Sequence, residues 1–135
     1  MVLKRTWYPD KAFVIRAHDE ALTELGSGGH PGFERGIDAF DSILAEAKRT
    51  RGTIHRKAAV FLKRLVDARI FLDGNHRVAF EVTDTFLRMN ERRISTQNKQ
   101  KIIRFIKDIK QYNVEQVEVW LEHGKMPQRP DTGSA

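Results

Sequence analysis

The sequence predicts an all-α fold of six helices joined by short loops, on three observations. Apolar residues recur at three- and four-residue spacing through six separate stretches. The strict apolar–polar alternation of a half-buried strand is almost absent. The periodic stretches are divided by breaks carrying glycine, proline, asparagine or aspartate. At 135 residues and 15.6 kDa, the chain has room for one compact domain.

Pro9 and Asp10 open the first helix, with proline near its first position and an acid in its first turn. Val14, Ala17, Ala21, Leu22 and Leu25 then share a face. Gly26-Ser27-Gly28-Gly29 stops that helix, and His30-Pro31-Gly32 extends the loop. A second helix over 34–47 places Ile37, Phe40, Leu44 and Ala47 together, and 48–52 is a polar connection. The third, over 53–68, carries Ile54, Ala58, Phe61, Leu62 and Leu65. Ala59, Val60 and Val66 make it apolar on more than one face, which predicts a central position. Asp73-Gly74-Asn75 supplies turn chemistry before a fourth helix over 75–89, with Val78, Val82, Phe86 and Met89 in register and Asn90 as its stop. An extended link at 92–96 follows. The fifth helix, 97–112, uses Ile102, Phe105, Ile106 and Ile109; the sixth, 114–123, uses Val117, Trp120 and Leu121. The expected domain is 1–123, with 124–135 a flexible tail marked by Pro127, Pro130, Gly133 and Ser134.

Composition excludes several function classes. With no cysteine there is no disulfide framework and no thiolate metal site, which suits a reducing compartment. The longest apolar run, 58–62, is too short to span a bilayer, and residues 1–6 hold two charges and no apolar signal core. The expectation is a soluble, cytoplasmic protein without membrane attachment. His18, His30, His55, His76 and His123 show no zinc-binding spacing, and no Gly-x-Ser-x-Gly turn is present. The glycines at 26–29 lack both the Gly-Lys-Ser/Thr and the preceding strand of a phosphate loop.

Lys+Arg 24 against Asp+Glu 18 gives a net charge of +6, which favours acidic or phosphate-bearing partners. Basic residues gather at Lys48, Arg49, Arg51, Arg56, Lys57, Lys63 and Arg64, and again at Lys99, Lys101, Arg104, Lys107 and Lys110. Such density can bind a phosphate backbone. The charges are spread around their helices and interrupted by Asp108 and Glu115, so a solvated surface is the preferred reading and nucleic acid is not an expected partner.

The segment Arg69-Ile70-Phe71-Leu72-Asp73-Gly74-Asn75-His76-Arg77 differs in kind, because it leads into a helix N-terminus. First-turn amides there lack intrahelical partners and the helix dipole is positive, which suits an anion. Arg77 adds a guanidinium able to bind phosphate oxygens. Asp73 would repel phosphate unless a bridging Mg²⁺ reversed the sign. Together these residues describe a site for Mg²⁺ and a di- or triphosphate. An Asx-turn and cap beside a surface arginine accounts for the same residues without a ligand.

The stretch from Phe71 to Arg77 resembles the signature of the Fic/Doc (Fido) family, H-x-F-x-D-G/A-N-K/G-R. The likeness extends to Ile15-Arg16-Ala17-His18-Asp19 in the first helix, to Gly32-Phe33 through Leu44, and to 58–66. It also covers the Phe86-Leu87-Arg88-Met89-Asn90 helix end and Trp120-Leu121. The resemblance implies a compact six-helix Fido domain that cradles ATP or another nucleoside triphosphate, with Mg²⁺, at the N-terminus of the fourth helix. It implies Asp73 as the Mg²⁺ ligand, Gly74 and Asn75 as the phosphate-cradling turn, and Arg77 as the phosphate-binding arginine. His76 stands where Doc members carry lysine. Phe80 replaces the second arginine of AMP-transferring members, which places the chain nearer the Doc (death-on-curing) toxins of toxin–antitoxin systems. Members of that branch transfer a phosphoryl (or, in Fic branches, a nucleotidyl) group to a protein hydroxyl such as one on elongation factor Tu. They are restrained by an antitoxin peptide or protein.

One departure stands out: the catalytic histidine of the family aligns with Arg69. Histidine has a reference pKa near ~6.5 and serves as general base, whereas arginine side chains stay protonated in proteins. Arg69 can donate to phosphate oxygens but cannot accept the proton of an attacking hydroxyl. Three accounts remain open: a pseudoenzyme that binds nucleotide or a partner, an active enzyme with another base, or an introduced inactivating change. His76 is the nearest imidazole in sequence, although its place beside Arg77 suits a phosphate contact better than a base.

Overall fold

The structure, a computed structural model, describes residues 5–24, 32–33 and 35–127. Among them are six α-helices and no strand: α1 Lys11–Glu24, α2 Ala39–Arg49, α3 Ile54–Ala68, α4 Asn75–Met89, α5 Lys99–Lys107 and α6 Val114–His123. A short 3-10 turn, Ile109–Gln111, joins the last two. No helix among the described residues is long and apolar enough to cross a membrane. The glycine-rich break at 25–31 and the tail from 128 lie outside the described residues.

Most helix starts carry a side-chain cap. The Asp10 carboxylate accepts from the Phe13 amide at 2.8 Å, so this acid caps α1 from outside instead of joining its first turn. Thr53 and Asn98 accept from the Arg56 and Lys101 amides, both at 3.1 Å. Asn113 and Gln116 form a reciprocal capping box at 2.8 and 2.9 Å. Gly74, at the start of α4, has no side chain to cap with.

Two helices differ in extent from the sequence expectation. The second helix begins at Ala39, not near residue 34, because Gly36 takes a left-handed φ of +89° and the Arg35 and Gly36 amides donate to Ile70 O instead of opening a helix. It also runs on to Arg49. There the Lys57 ammonium donates to the carbonyls of Ala47, Lys48 and Thr50 at 3.0, 3.2 and 2.7 Å, a cation at the negative end of the dipole. The fifth helix ends at Lys107, where the Asp108 amide is shared between the Arg104 and Phe105 carbonyls and the chain tightens into the 3-10 turn. That tightening brings Tyr112 against Phe105 at 5.3 Å, and Phe105 stacks on Trp120 at 3.9 Å.

Helix α3 is central, as its apolar girth predicts: every side chain from Ala58 through Leu62 is buried. It packs against α2, α4 and α6, while α1 packs on α4. Phe61 joins Phe86 and Phe40 across these interfaces at 5.0 and 6.2 Å. The result is one compact core, burying five phenylalanines at under 2% exposure. Met89, expected on the inner face of α4, is instead half exposed.

Candidate functional site

The loop between α3 and α4 is held from several sides. Helix α3 ends at Arg69, whose φ and ψ of 48° and 55° place a non-glycine residue in the left-handed region usually taken by glycine or asparagine. Ile70 and Phe71 then turn inward and are buried. The chain at 32–36 runs alongside: Phe33 and Phe71 form an isolated antiparallel bridge, Leu72 N donates to Gly32 O at 2.9 Å, and Ile70 O accepts from Arg35 and Gly36.

Two side chains set the shape of the turn. The Asn75 carboxamide accepts from Phe71 N at 3.1 Å and donates to Phe71 O at 2.7 Å, pairing with one residue as a neighbouring strand would. His18 of α1 is buried, and its ring stacks on Phe71 at 3.7 Å and 6° between planes. Its Nε2 lies 3.0 Å from Asp73 O. A carbonyl oxygen can only accept, so Nε2 carries the proton in this bond. Gly74 then takes φ +83°, which turns the chain into α4, and Val78 N closes the first helical bond on Gly74 O at 2.9 Å.

Every candidate residue of the turn is therefore within one short, well-braced piece of chain. Asp73 is exposed and is the turn's one carboxylate. Gly74 and Asn75 shape it, and because both groups of the Asn75 side chain are bonded to Phe71, that side chain contributes by holding the turn. His76 and Arg77 lie in the first turn of α4. Arg77 Nε sits 3.4 Å from Glu81 Oε1, so a phosphate would have to draw this guanidinium from a carboxylate one turn along.

The electrostatics extend the site beyond the motif. His76 is held below the ordinary imidazole range, first by partial desolvation and then by the positive charges of Lys110, Arg69 and Lys107. The charge of Arg69 thus acts on His76 across the turn, and α5 and the 3-10 turn add the charges of two lysines. An anion there would relieve this crowding of positive charge.

Among the described residues, no three histidine or acidic side chains converge to hold a metal. Mg²⁺ bound through phosphates needs only one or two carboxylates, and an exposed aspartate beside a helix N-terminus is a donor set of that kind. Sequence reasoning missed Glu81, Lys107 and Lys110. The i,i+4 spacing of Arg77 and Glu81 is a readable signal. Nothing in the sequence places Lys107 and Lys110 beside residue 76. An open concavity of about 450 Å³, lined by Asn113, Gln116, Val119 and Met126 among others, contains none of the motif residues.

No family model, no curated protein and no solved structure matches the chain.

Proposed function

We propose that the chain is a Doc-like Fido domain of toxin type, with residues 69–77 binding a Mg²⁺–nucleoside triphosphate such as ATP. Its inherited chemistry would move a phosphoryl (or nucleotidyl) group to a protein hydroxyl, with elongation factor Tu as the first acceptor to try. The observation that carries the reading is the braced turn: Asn75 pairs with Phe71, Gly74 is left-handed, and an exposed Asp73 lies just ahead of an α4 N-terminus amid Arg69, His76, Lys107 and Lys110. This is a concentration of positive charge and helix dipole suited to phosphate oxygens.

In this reading Asp73 would hold Mg²⁺, which when bound neutralises phosphate charge. Arg77 would bind the phosphates in exchange for Glu81, and His76 would contact them where Doc members use lysine. In the transfer, the acceptor oxygen bonds to phosphorus, a P–O bond of the nucleotide breaks, and the hydroxyl proton must leave. Nucleoside diphosphate departs if the phosphoryl group moves, and pyrophosphate departs if the nucleotidyl group moves. Arg69 cannot take that proton. Loss of a positioned base costs about 10² to 10⁴ in rate. The arginine also favours a second reading, a nucleotide- or partner-binding module without transfer.

The test compares the protein with Arg69→His, each incubated with Mg²⁺ and ATP labelled on the α- or γ-phosphate, with elongation factor Tu and cell extract as acceptors. Histidine is well represented at positive φ, so the change adds no backbone strain. Labelling gained only in the histidine variant is the expected result, and the labelled position names the group moved. Equal labelling by both proteins overturns the account of the base. No labelling, with Mg²⁺–ATP still bound, establishes the binding module; no binding by either overturns the site.

A further inference from the structure

Two clusters of basic residues, on α3 and along 99–110, are used differently by the structure. On α3 they are engaged internally. Arg56 pairs with Glu118 at 2.7 Å, Arg64 pairs with Glu46 at 3.1 Å, Lys57 holds the end of α2, and Lys63 reaches Ile109 O at 3.4 Å. Along 99–110 the picture is the opposite. Five cations and one carboxylate give this stretch a net charge of +4 out of the chain's +6. Lys99, Lys101, Arg104, Lys107 and Lys110 are all exposed, and none has an ion-pair partner among the described residues.

The inner face of α5 is fully used, with Ile102, Phe105 and Ile106 buried and Ile109 following in the 3-10 turn. On the outer side, Lys99, Ile103 and Lys107 form one i,i+4 row, continued by Lys110. Ile103 is 49% exposed in the middle of it. Helix α5 packs on α4, and the 3-10 turn packs on α3, where Lys63 Nζ reaches Ile109 O, so the Lys107–Lys110 end of the row lies against the helix that leads into the 69–77 turn. The electrostatic effect of Lys107 and Lys110 on His76 agrees with that placement.

We propose that the row Lys99–Ile103–Lys107–Lys110 docks an acidic polypeptide segment carrying an apolar side chain, and that it leads this segment to the 69–77 turn. The charge complementarity is direct: the face offers several unneutralised cations and no competing carboxylate in the row. The apolar residue at its centre decides the class of partner. A single nucleic acid strand is met by cations interleaved with aromatic rings, of which this row has none, and a duplex backbone is met by cations alone, which leaves Ile103 unused. A peptide with carboxylates flanking a leucine satisfies both the lysines and Ile103. The inference concerns binding alone and stands whether or not the chain transfers phosphate.

The test uses the full chain and a fluorescein-labelled peptide of glutamates with two interspersed leucines, read by anisotropy at low and moderate salt, with a twelve-nucleotide oligouridylate as competitor probe. Lys107→Gln with Lys110→Gln is expected to weaken peptide binding by about tenfold, and Ile103→Ser by about threefold or more. The charge-matched control, Arg92→Gln with Arg93→Gln, removes two exposed cations outside the row and is expected to change affinity by less than about twofold. Unchanged thermal melts by circular dichroism show that all three variants fold. Equal losses in row and control variants overturn the proposal in favour of overall charge. Tighter binding of oligouridylate, indifferent to Ile103→Ser, overturns it in favour of nucleic acid. Failure of the peptide to bind at low salt overturns it outright.

Discussion

The two ends of α4 use the same device for different purposes. At the C-terminal end, the Asn90 side chain accepts from Trp7 N at 2.9 Å and donates to Trp7 O and Phe86 O at 3.0 and 2.7 Å. At the N-terminal end, the Asn75 side chain pairs with Phe71 N and O in the same manner. Asn90 ties together residues 83 positions apart, whereas Asn75 bridges only four. Tyr8 packs beside Phe86 near the first end, so the clamp there completes the core. At the second end the clamp shapes an exposed turn with a left-handed glycine and a left-handed arginine, surrounded by positive charge. Identical side-chain chemistry closes a long loop over apolar surface at one end, and at the other holds a short, solvent-exposed turn in shape.

That contrast can be broken by substitution. Asn90→Ala removes three hydrogen bonds at a part-buried junction and is expected to cost about 2–3 kcal/mol, leaving affinity for Mg²⁺–ATP unchanged. Asn75→Ala is expected to cost about 1–2 kcal/mol and also to weaken nucleotide binding. Urea midpoints and titration with a fluorescent ATP analogue measure the two effects. Loss of binding in Asn90→Ala, to the same degree as in Asn75→Ala, would show that the ends of α4 act as one unit. Gly74→Ala comes next. An added Cβ meets its nearest atom, His18 Cδ2, at 3.5 Å, an ordinary contact, so the expected cost of about 1–2 kcal/mol comes from the backbone at φ +83°. A thermal melt of the variant checks it.

A pH prediction sharpens the charge side of the comparison. Because the folded protein holds the His76 pKa below 6.5, the unfolded chain binds more protons in the window between the two values. The contribution of His76 to stability is therefore complete above about pH 6.5 and declines as pH falls through the lowered folded value. Imidazole titration by NMR is expected to show the His76 pKa rising when Mg²⁺–ATP or pyrophosphate binds. It should also rise partway toward the ordinary value in Lys107→Gln with Lys110→Gln, since desolvation, the leading cause, remains. A pKa indifferent to both would separate the lysines from the site. The smallest effect lies midway along α4, where the Thr83 hydroxyl is buried and makes no hydrogen bond to any of the described residues. Thr83→Val is expected to be neutral or stabilising by up to about 1 kcal/mol in urea unfolding, with no effect on binding.

The all-α class, the six helices, the central place of α3 and the limits of α4 and α6 are properties of the sequence alone. Helical periodicity and capping act over three or four residues, so local spacing suffices to specify them. The candidate turn was legible for the same reason, since Arg69, Asp73, Gly74, Asn75, His76 and Arg77 are nearly contiguous. The late start of α2 was not legible, because it follows from Ile70 capturing the Arg35 and Gly36 amides. Only tertiary structure decided that His18 stacks on Phe71 and donates to a carbonyl 55 residues away, that Asn90 clamps Trp7, and that the charges of Lys107 and Lys110 act on His76. It also decided which cations are consumed inside the fold and which stay on its surface. Such pairings depend on where distant helices meet, and helix meeting is governed by burial of whole faces, which no short window of sequence records.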